Sequence, residues 1–295
     1  MKNVFIIAVS VILSVVVTIT FFSGSETQTI KAEKSVFDRV MHTGKIRCGY
    51  FPYAPALIVD PNTGAKSGIF YDIMEEIGER LNLQIEWSTE VGYGVIQEGF
   101  KTNKFDIFCN TIWPTPERSK TAIFSNALYY SSVITVVKED DLRFDNDLSL
   151  LNNPDVKISV KEGDITESIA RGLFPKAEFV AIPQLANTSQ QLDDVFHSKS
   201  DATFNETSLV YRYLKESGNK LKIIGLDKPL KYFPNTIMMP EKEFQLKHMI
   251  DTTLQNLISE GFVDRTIEKY DQFGKSFLKV SDPYEPHTSL IKKEK

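Results

Sequence analysis

One arginine stands where it could grip an anion. The stretch NTIWPTPERSKTAIFS, Asn110 to Ser125, crowds Trp113, Pro114, Pro116 and Arg118 into a turn after an apolar run. A planar guanidinium can make two parallel hydrogen bonds to a carboxylate, which lysine cannot. Each such charge-assisted bond contributes about 1.5–3 kcal/mol where water is excluded. Pro114 and Pro116 restrict the backbone, so Arg118 is held before any ligand arrives and the ordering cost of binding falls. A surface ion pair with Glu117 or a helix carboxylate is the plainer use of the same side chain. Other chemistry is missing from the sequence. It has no phosphate-binding Gly-Lys-Ser/Thr loop, no GxGxxG after a strand, no HExxH and no Gly-x-Ser-x-Gly. His42, His197, His248 and His287 are scattered and read as surface residues. The acid pairs Glu75-Glu76, Asp140-Asp141 and Asp193-Asp194 lie in helical or polar stretches and read as solvated faces. No catalytic residue, metal or cofactor is expected, and binding becomes the leading class of function.

The elements that must position Arg118 follow from the rest of the chain. Its 295 residues, 42% hydrophobic and 25% charged, suit one large domain or two lobes with cores of their own. The net charge of −5 and the lack of a basic stripe argue against nucleic acid as a partner. Val4 to Phe22 carries no charge and follows Lys2, a length and a flank that fit either a retained membrane anchor or a cleaved signal. No cysteine stands directly after the run, so lipoprotein processing is excluded. The remainder is expected to be exported, periplasmic or otherwise extracytoplasmic. Export permits a disulfide between Cys48 and Cys109, but each lies in an apolar, strand-like stretch, and two buried free thiols is the favoured reading.

After a polar linker, SVFDRVMHTG reads as a short helix closed by Gly44, and KIRCGYF as a strand. The Pro and Asn-Thr-Gly signals of residues 52–68 read as a loop with a small hairpin. Ile69, Ile73, Ile77 and Leu81 recur every fourth residue, one face of a helix. IEWST, a helix ending near Asn103, and FDIFCNTIW follow, which gives a parallel β-α-β-α-β unit. From residue 131 the same rhythm restarts. The fold class expected is α/β with two lobes and a ligand cleft between them, a favoured place for a small molecule. The expected division is 1–34 signal or anchor and linker, 35–130 first lobe, 131–232 second lobe, 233–276 return segment and closing helices, and 277–295 a polar tail, poorly ordered over KVSDPYEPHTSLIKKEK, residues 279–295. The chain is expected to cross between lobes near Tyr129–Val133 and near Leu230–Asn235.

GKIRCGYFPYAPALIVDPNTGAKSGIFYDIMEEIGERLNLQIEW resembles the opening of the family-three bacterial extracellular solute-binding proteins. FKTNKFDIFCNTIWPTPERSKTAIFSNALYY resembles the central signature of that family, in which a strand leads to Thr-x-x-Arg, Phe-Ser and an aromatic hinge. VKISVKEGD, KSDATFNETSLVYRYL and EKEFQLKHMIDTTLQNLISEGFVDRTIEKY are similar to its second-lobe loop, strand end and closing helices. The resemblance implies a type II periplasmic-binding fold that closes on an amino acid or similar small carboxylate and delivers it to the permease of an ABC importer. It implies that Arg118 holds the ligand carboxylate, with Thr111 and Trp113 beside it and Phe51 and Tyr53 in the first-lobe loop. Lys161, Gly163, Asp164 and Ile165 would supply the second-lobe loop, and Asn205 and Glu206 the acid end that receives an amino group. Gly163 would let backbone N–H groups approach an anion closely, and Glu206 equally suits a helix N-terminus. Trp113 departs from the small hydroxylated residue usual there, and with Phe51 and Tyr53 suggests an aromatic wall suited to an apolar or cationic side chain. Two alternatives share this fold: a cyclohexadienyl dehydratase-like enzyme using Glu206, and a ligand-sensing ectodomain.

Overall fold

The computed structural model describes residues 35–183, 186–274 and 276–280. Helix α1 (Val36–Thr43) leads into strand β1 (Lys45–Tyr50) and a hairpin of β2 (Ile58–Val59) and β3 (Lys66–Ser67). Helix α2 (Ile69–Leu81) follows, with Ile69, Ile73 and Ile77 fully buried and Leu81 partly so, as the four-residue spacing requires. It begins where Gly68 has φ 122°, and a Cβ there would lie 2.6 Å from the Ala56 carbonyl oxygen, so only glycine fits. Strand β4 (Gln84–Glu90), a 3₁₀ turn at Tyr93–Val95, α3 (Ile96–Lys101) and β5 (Ile107–Ile112) complete the first unit. β1 pairs in parallel with both β4 and β5.

A short strand β6 (Ala122–Phe124), not expected from the sequence, precedes the long β7 (Tyr129–Lys138). The second unit runs β8 (Lys157–Lys161), α4 (Ile165–Leu173), β9 (Glu178–Ile182), α5 (Ser189–Phe196), β10 (Ala202–Glu206), α6 (Thr207–Ser217) and β11 (Leu221–Ile224). The chain returns through β12 (Lys231–Pro240) and ends its described part in α7 (Phe244–Ser259), α8 (Phe262–Tyr270) and β13 (Phe277–Leu278). Gly261 separates the two closing helices at φ 69°. β13 pairs with β7, so Phe277 and Leu278, at the head of the polar tail, form a strand; residues 281–295 lie outside the described residues, as do residues 1–34 with the apolar run. Among the described residues no helix is long and apolar enough to cross a membrane.

The strands form one continuous ladder in the order β4-β1-β5-β12-β7-β10-β8-β9. The units are mixed, not purely parallel: β12 runs antiparallel to β5, and β7 antiparallel to β10 and β11. β12 changes partners along its length. Lys231 to Asn235 face β7, whereas Thr236 to Pro240 face β5 and β6. β7 does the same, with Tyr129 to Val133 on β12 and Val133 to Val137 on β10. Separate cores lie on either side of this seam. One packs β1, β5, α2, α7 and α8; another packs β7, β8, β10 and α4.

Two cross-links hold the first sheet. Cys48 and Cys109 are joined in a disulfide, with Cα atoms 5.4 Å apart, which corrects the reading of two free thiols. The apolar setting that suggests inert thiols is the same setting that seats the pair on adjacent parallel strands, where β1 and β5 come into register at Cys48 opposite Ile107. Asp106, fully buried, accepts hydrogen bonds from Arg39 Nε at 2.8 Å, from Arg47 Nη2 at 2.9 Å and from the Arg47 backbone N–H at 2.6 Å. It ties α1 and β1 to the start of β5. Glu243 caps α1 in turn by accepting from the Val36 and Phe37 amides.

Reducing the disulfide, or replacing both cysteines by serine, is expected to lower unfolding stability by about 2–4 kcal/mol, read from urea melts. Asp106→Ala is expected to cost about 3 kcal/mol, because two partly buried guanidiniums lose their acceptor.

Candidate functional site

The strand ends at the seam open on a cavity of about 310 Å³. Its first-lobe wall is Tyr53, Tyr93, Thr111, Ile112, Trp113 and Arg118, and its second-lobe wall is the 161–165 loop with Glu206. Each wall residue is fixed by local structure. Tyr53 exchanges backbone hydrogen bonds with Leu57 at 2.8 and 2.9 Å, which pins the loop after β1. Asn110, fully buried, donates to the Phe51 carbonyl and accepts from the Thr111 N–H at 2.7 Å, joining that loop to the end of β5. Trp113 stacks on Phe233 of β12 with ring centroids 4.3 Å apart and planes within 5°.

Arg118 opens a single 3₁₀ turn, with its N–H bonded to Thr115 Oγ1 at 3.2 Å and its Nη1 donating to the Trp113 carbonyl at 2.7 Å. Among the described residues it has no ion-pair partner, neither Glu117 nor a helix carboxylate. Burial lowers its pKa, opposed by Tyr93, and the guanidinium stays charged at any physiological pH. One nitrogen of the fork is spent on holding the side chain, and the rest of the fork remains for an anion.

Glu206 ends β10 on the opposite wall and is 9% exposed. Oε2 accepts from the Tyr53 hydroxyl at 2.8 Å across the cleft, and Oε1 accepts from Ser131 Oγ at 2.6 Å. Burial pushes its carboxyl up from the ordinary value; hydrogen bonds from Ser131, Tyr53 and Ser208 and the charge of Arg212 hold it back. Burial likewise raises the hydroxyls of Tyr53, Tyr93 and Tyr129, so all three are neutral near Glu206. The cavity therefore carries a cation on one wall and a buried acid on the other.

The second-lobe loop is arranged differently from the sequence expectation. Gly163 has φ 74°, but its N–H donates to Glu167 Oε2 at 2.9 Å and is not free to meet an anion. Asp164 caps α4, accepting from the Thr166 N–H at 2.8 Å and the Thr166 hydroxyl at 2.7 Å. Lys161 Nζ reaches Thr188 Oγ1 at 3.4 Å. Arg118, Thr111, Trp113, Tyr53, Lys161, Gly163, Asp164, Ile165 and Glu206 are brought together around the cavity; Phe51 and Asn205 are not. Phe51 packs behind Tyr93, at 5.4 Å between centroids, and Asn205 is buried in β10 with its amide near Thr203 Oγ1 at 3.3 Å. Sequence reading missed Tyr93, Ile112 and Glu162. Tyr93 had a signal, an aromatic residue between Gly92 and Gly94, and its hydroxyl donates to the Thr111 carbonyl at 3.1 Å.

The family model for bacterial extracellular solute-binding proteins, family 3, matches residues 46–275. The chain belongs to that family. Its members are solute-binding proteins and not enzymes, and the two-lobed fold with its inter-lobe cleft is theirs. Among curated relatives, the probable amino-acid-binding protein YxeM of Bacillus subtilis is 24% identical over 239 residues, covering 79% of this chain and 84% of that protein. A probable amino-acid ABC transporter-binding protein of Haemophilus influenzae is 26% identical over 194 residues, covering 65% and 72%. Among solved structures, the ancestral amino acid-binding protein AncCDT-1, a precursor of cyclohexadienyl dehydratase, superposes with a TM-score of 0.66 at 24% identity, over 80% of this chain and 99% of that one. The family match accords with an exported, extracellular protein.

The raised pKa of Glu206 has a defined consequence for stability. The folded protein binds a proton there more tightly than the unfolded chain, so this group's contribution is most favourable in acid. It declines as pH rises from the ordinary glutamate value through the raised one. Glu206→Gln removes the charge and keeps the shape, and is expected to flatten that decline and raise Tm at neutral pH. Thermal melts from about pH 4 to about pH 8 check it; an unchanged slope would show that another group titrates.

Proposed function

We propose that this protein captures an amino acid between its lobes and hands it to the permease of an ABC importer. The observation that carries the reading is the pairing of Arg118, without an ion-pair partner among the described residues, with Glu206 on the facing wall. A zwitterion placed between them satisfies both charges at once, its carboxylate on the guanidinium and its ammonium at the acid. Such a ligand contacts both lobes and so prefers the closed state, the condition for ligand-driven closure. Tyr93, Trp113 and Ile112 leave an aromatic and apolar wall for the ligand's side chain. In this reading the lobes are residues 35–130 with 233–276, and residues 131–232. Relatives named as amino-acid-binding and ABC transporter-binding proteins support it, as do solved neighbours such as the Streptococcus pneumoniae substrate-binding protein AbpA bound to L-arginine. Val4–Phe22 carries the chain through export, as a membrane tether where it is retained and as a signal where it is removed.

A panel of amino acids is expected to raise the thermal stability of the exported part with one or a few members. At one hundred times its Kd a ligand adds about 2.7 kcal/mol. Arg118→Ala is expected to abolish the shift while the ligand-free Tm stays close to that of the parent. A flat response to the whole panel counts against an amino acid as ligand, and normal binding by the variant counts against this site.

A further inference from the structure

Glu206 lies at the end of a hydrogen-bond chain that passes through both hinge strands. Ser131 on β7 donates to its Oε1 at 2.6 Å. Ser131 itself accepts from Asn235 Nδ2, on β12, at 2.8 Å. Asn235 Oδ1 then accepts from Trp113 Nε1 at 3.1 Å and from the Thr111 hydroxyl. Ser131 and Asn235 are at most 1% exposed, and Thr111 is 6% exposed, so each of these groups depends on the others for its partners.

Most links in this chain can be turned round. A serine or threonine hydroxyl donates or accepts, and an asparagine amide can rotate to exchange its oxygen and nitrogen. The indole N–H can only donate. Trp113 therefore requires Asn235 to present oxygen to it and nitrogen to Ser131. Ser131, already accepting from that nitrogen, has its one proton left for Glu206. Thr111 would serve either orientation and decides nothing.

We propose that Trp113 is a positioning residue which, through Asn235 and Ser131, sets the direction of the hinge network and holds Glu206 as an ionised acceptor in the cleft. The consequence for binding rests on the amino-acid reading above: an ionised Glu206 is what a ligand ammonium requires. Burial works against that state, and the Ser131 hydrogen bond opposes it. Tyr53 from the loop after β1, Tyr93 from the 3₁₀ turn, Tyr129 from β7 and Arg212 from α6 act on Glu206 electrostatically, while Arg118 stands on the facing wall of the cavity and Lys161, Glu162 and Asp164 line it from the second-lobe loop. The tyrosines are neutral, and Arg212 acts alike whether or not the chain is intact. The proposal also gives the tryptophan in the crowded turn a role beyond bulk: its ring stacks on Phe233 while its N–H orders the network.

The test needs no ligand. Protein labelled with ¹³C at the glutamate side-chain carboxyls is titrated by NMR, with the Glu206 signal assigned by its loss in Glu206→Gln. Trp113→Phe, which keeps a ring against Phe233, and Ser131→Ala are each expected to raise the Glu206 midpoint by about one pH unit, the worth of a hydrogen bond to a charged group. Asn235→Ala cuts the chain between them and is expected to give the same shift. In the Trp113→Phe, Ser131→Ala double variant the shift should not exceed the larger single one, because both act on one path. An unmoved midpoint in folded Trp113→Phe overturns the proposal, as does a double variant whose shift is the sum of the two. Absence of amino-acid binding by the parent would refute the proposed function and leave the titration to stand or fall by itself.

Discussion

Everything in this molecule hangs on the antiparallel pairing of β7 with β12. Five residues of each strand face one another, Lys231 opposite Val133 through Asn235 opposite Tyr129, and beyond that stretch each strand turns to a different sheet. The two strands are thus the centre of the continuous ladder, and in the proposed division they are also where the chain crosses between lobes. A joint made of backbone hydrogen bonds is short, directional and buried. Its residues belong to the cores on both sides, Tyr129 to one and Val133 and Phe233 to the other.

The joint also sets the chemistry of the cleft. Tyr129, Ser131 and Asn235 stand on the paired stretch, and Glu206 lies where β10 meets β7 at Val133. A carboxylate placed so deeply is costly, and the site meets that cost with donors from β7 and the loop after β1, Ser131 and Tyr53, the first of them backed by Asn235 of β12. Arg118 is treated differently. It rides on a 3₁₀ turn off the end of β5, half-buried, with a single backbone carbonyl holding it. One charge is built into the frame and the other is presented by a turn, and the proposed zwitterion connects them.

Several features were legible in the residues themselves. Apolar periodicity located α2, the β-α rhythm located both units, and Gly261 marked the break between the closing helices. These are local consequences of side-chain spacing and backbone freedom, so one strand of sequence carries them. The crowded turn after β5 could be read as an anion grip for the same reason, since arginine and proline chemistry are local. What escaped were features made by pairing. β6 and β13 are three and two residues long and exist only because β12 and β7 offer an edge. The union of Cys48 with Cys109 depends on the register of β1 against β5, and two apolar strands seen singly do not reveal it. Gly163 showed its permissive backbone in the sequence, but the capture of its N–H by Glu167 follows from how the loop closes onto α4.

The sequence by itself determined the residue types at the site, the order of the elements and the family resemblance. Each depends on neighbours along the chain or on spacing within one element. Tertiary structure alone decided which of those residues meet. It set Tyr53 against Glu206 across a gap of 153 positions, placed Tyr93 in the wall, and left Phe51 and Asn205 behind it. It also decided the direction of the hydrogen bonds behind Glu206. That direction is fixed by an indole N–H facing an amide 122 positions away, a constraint that exists only once the strands are folded against each other.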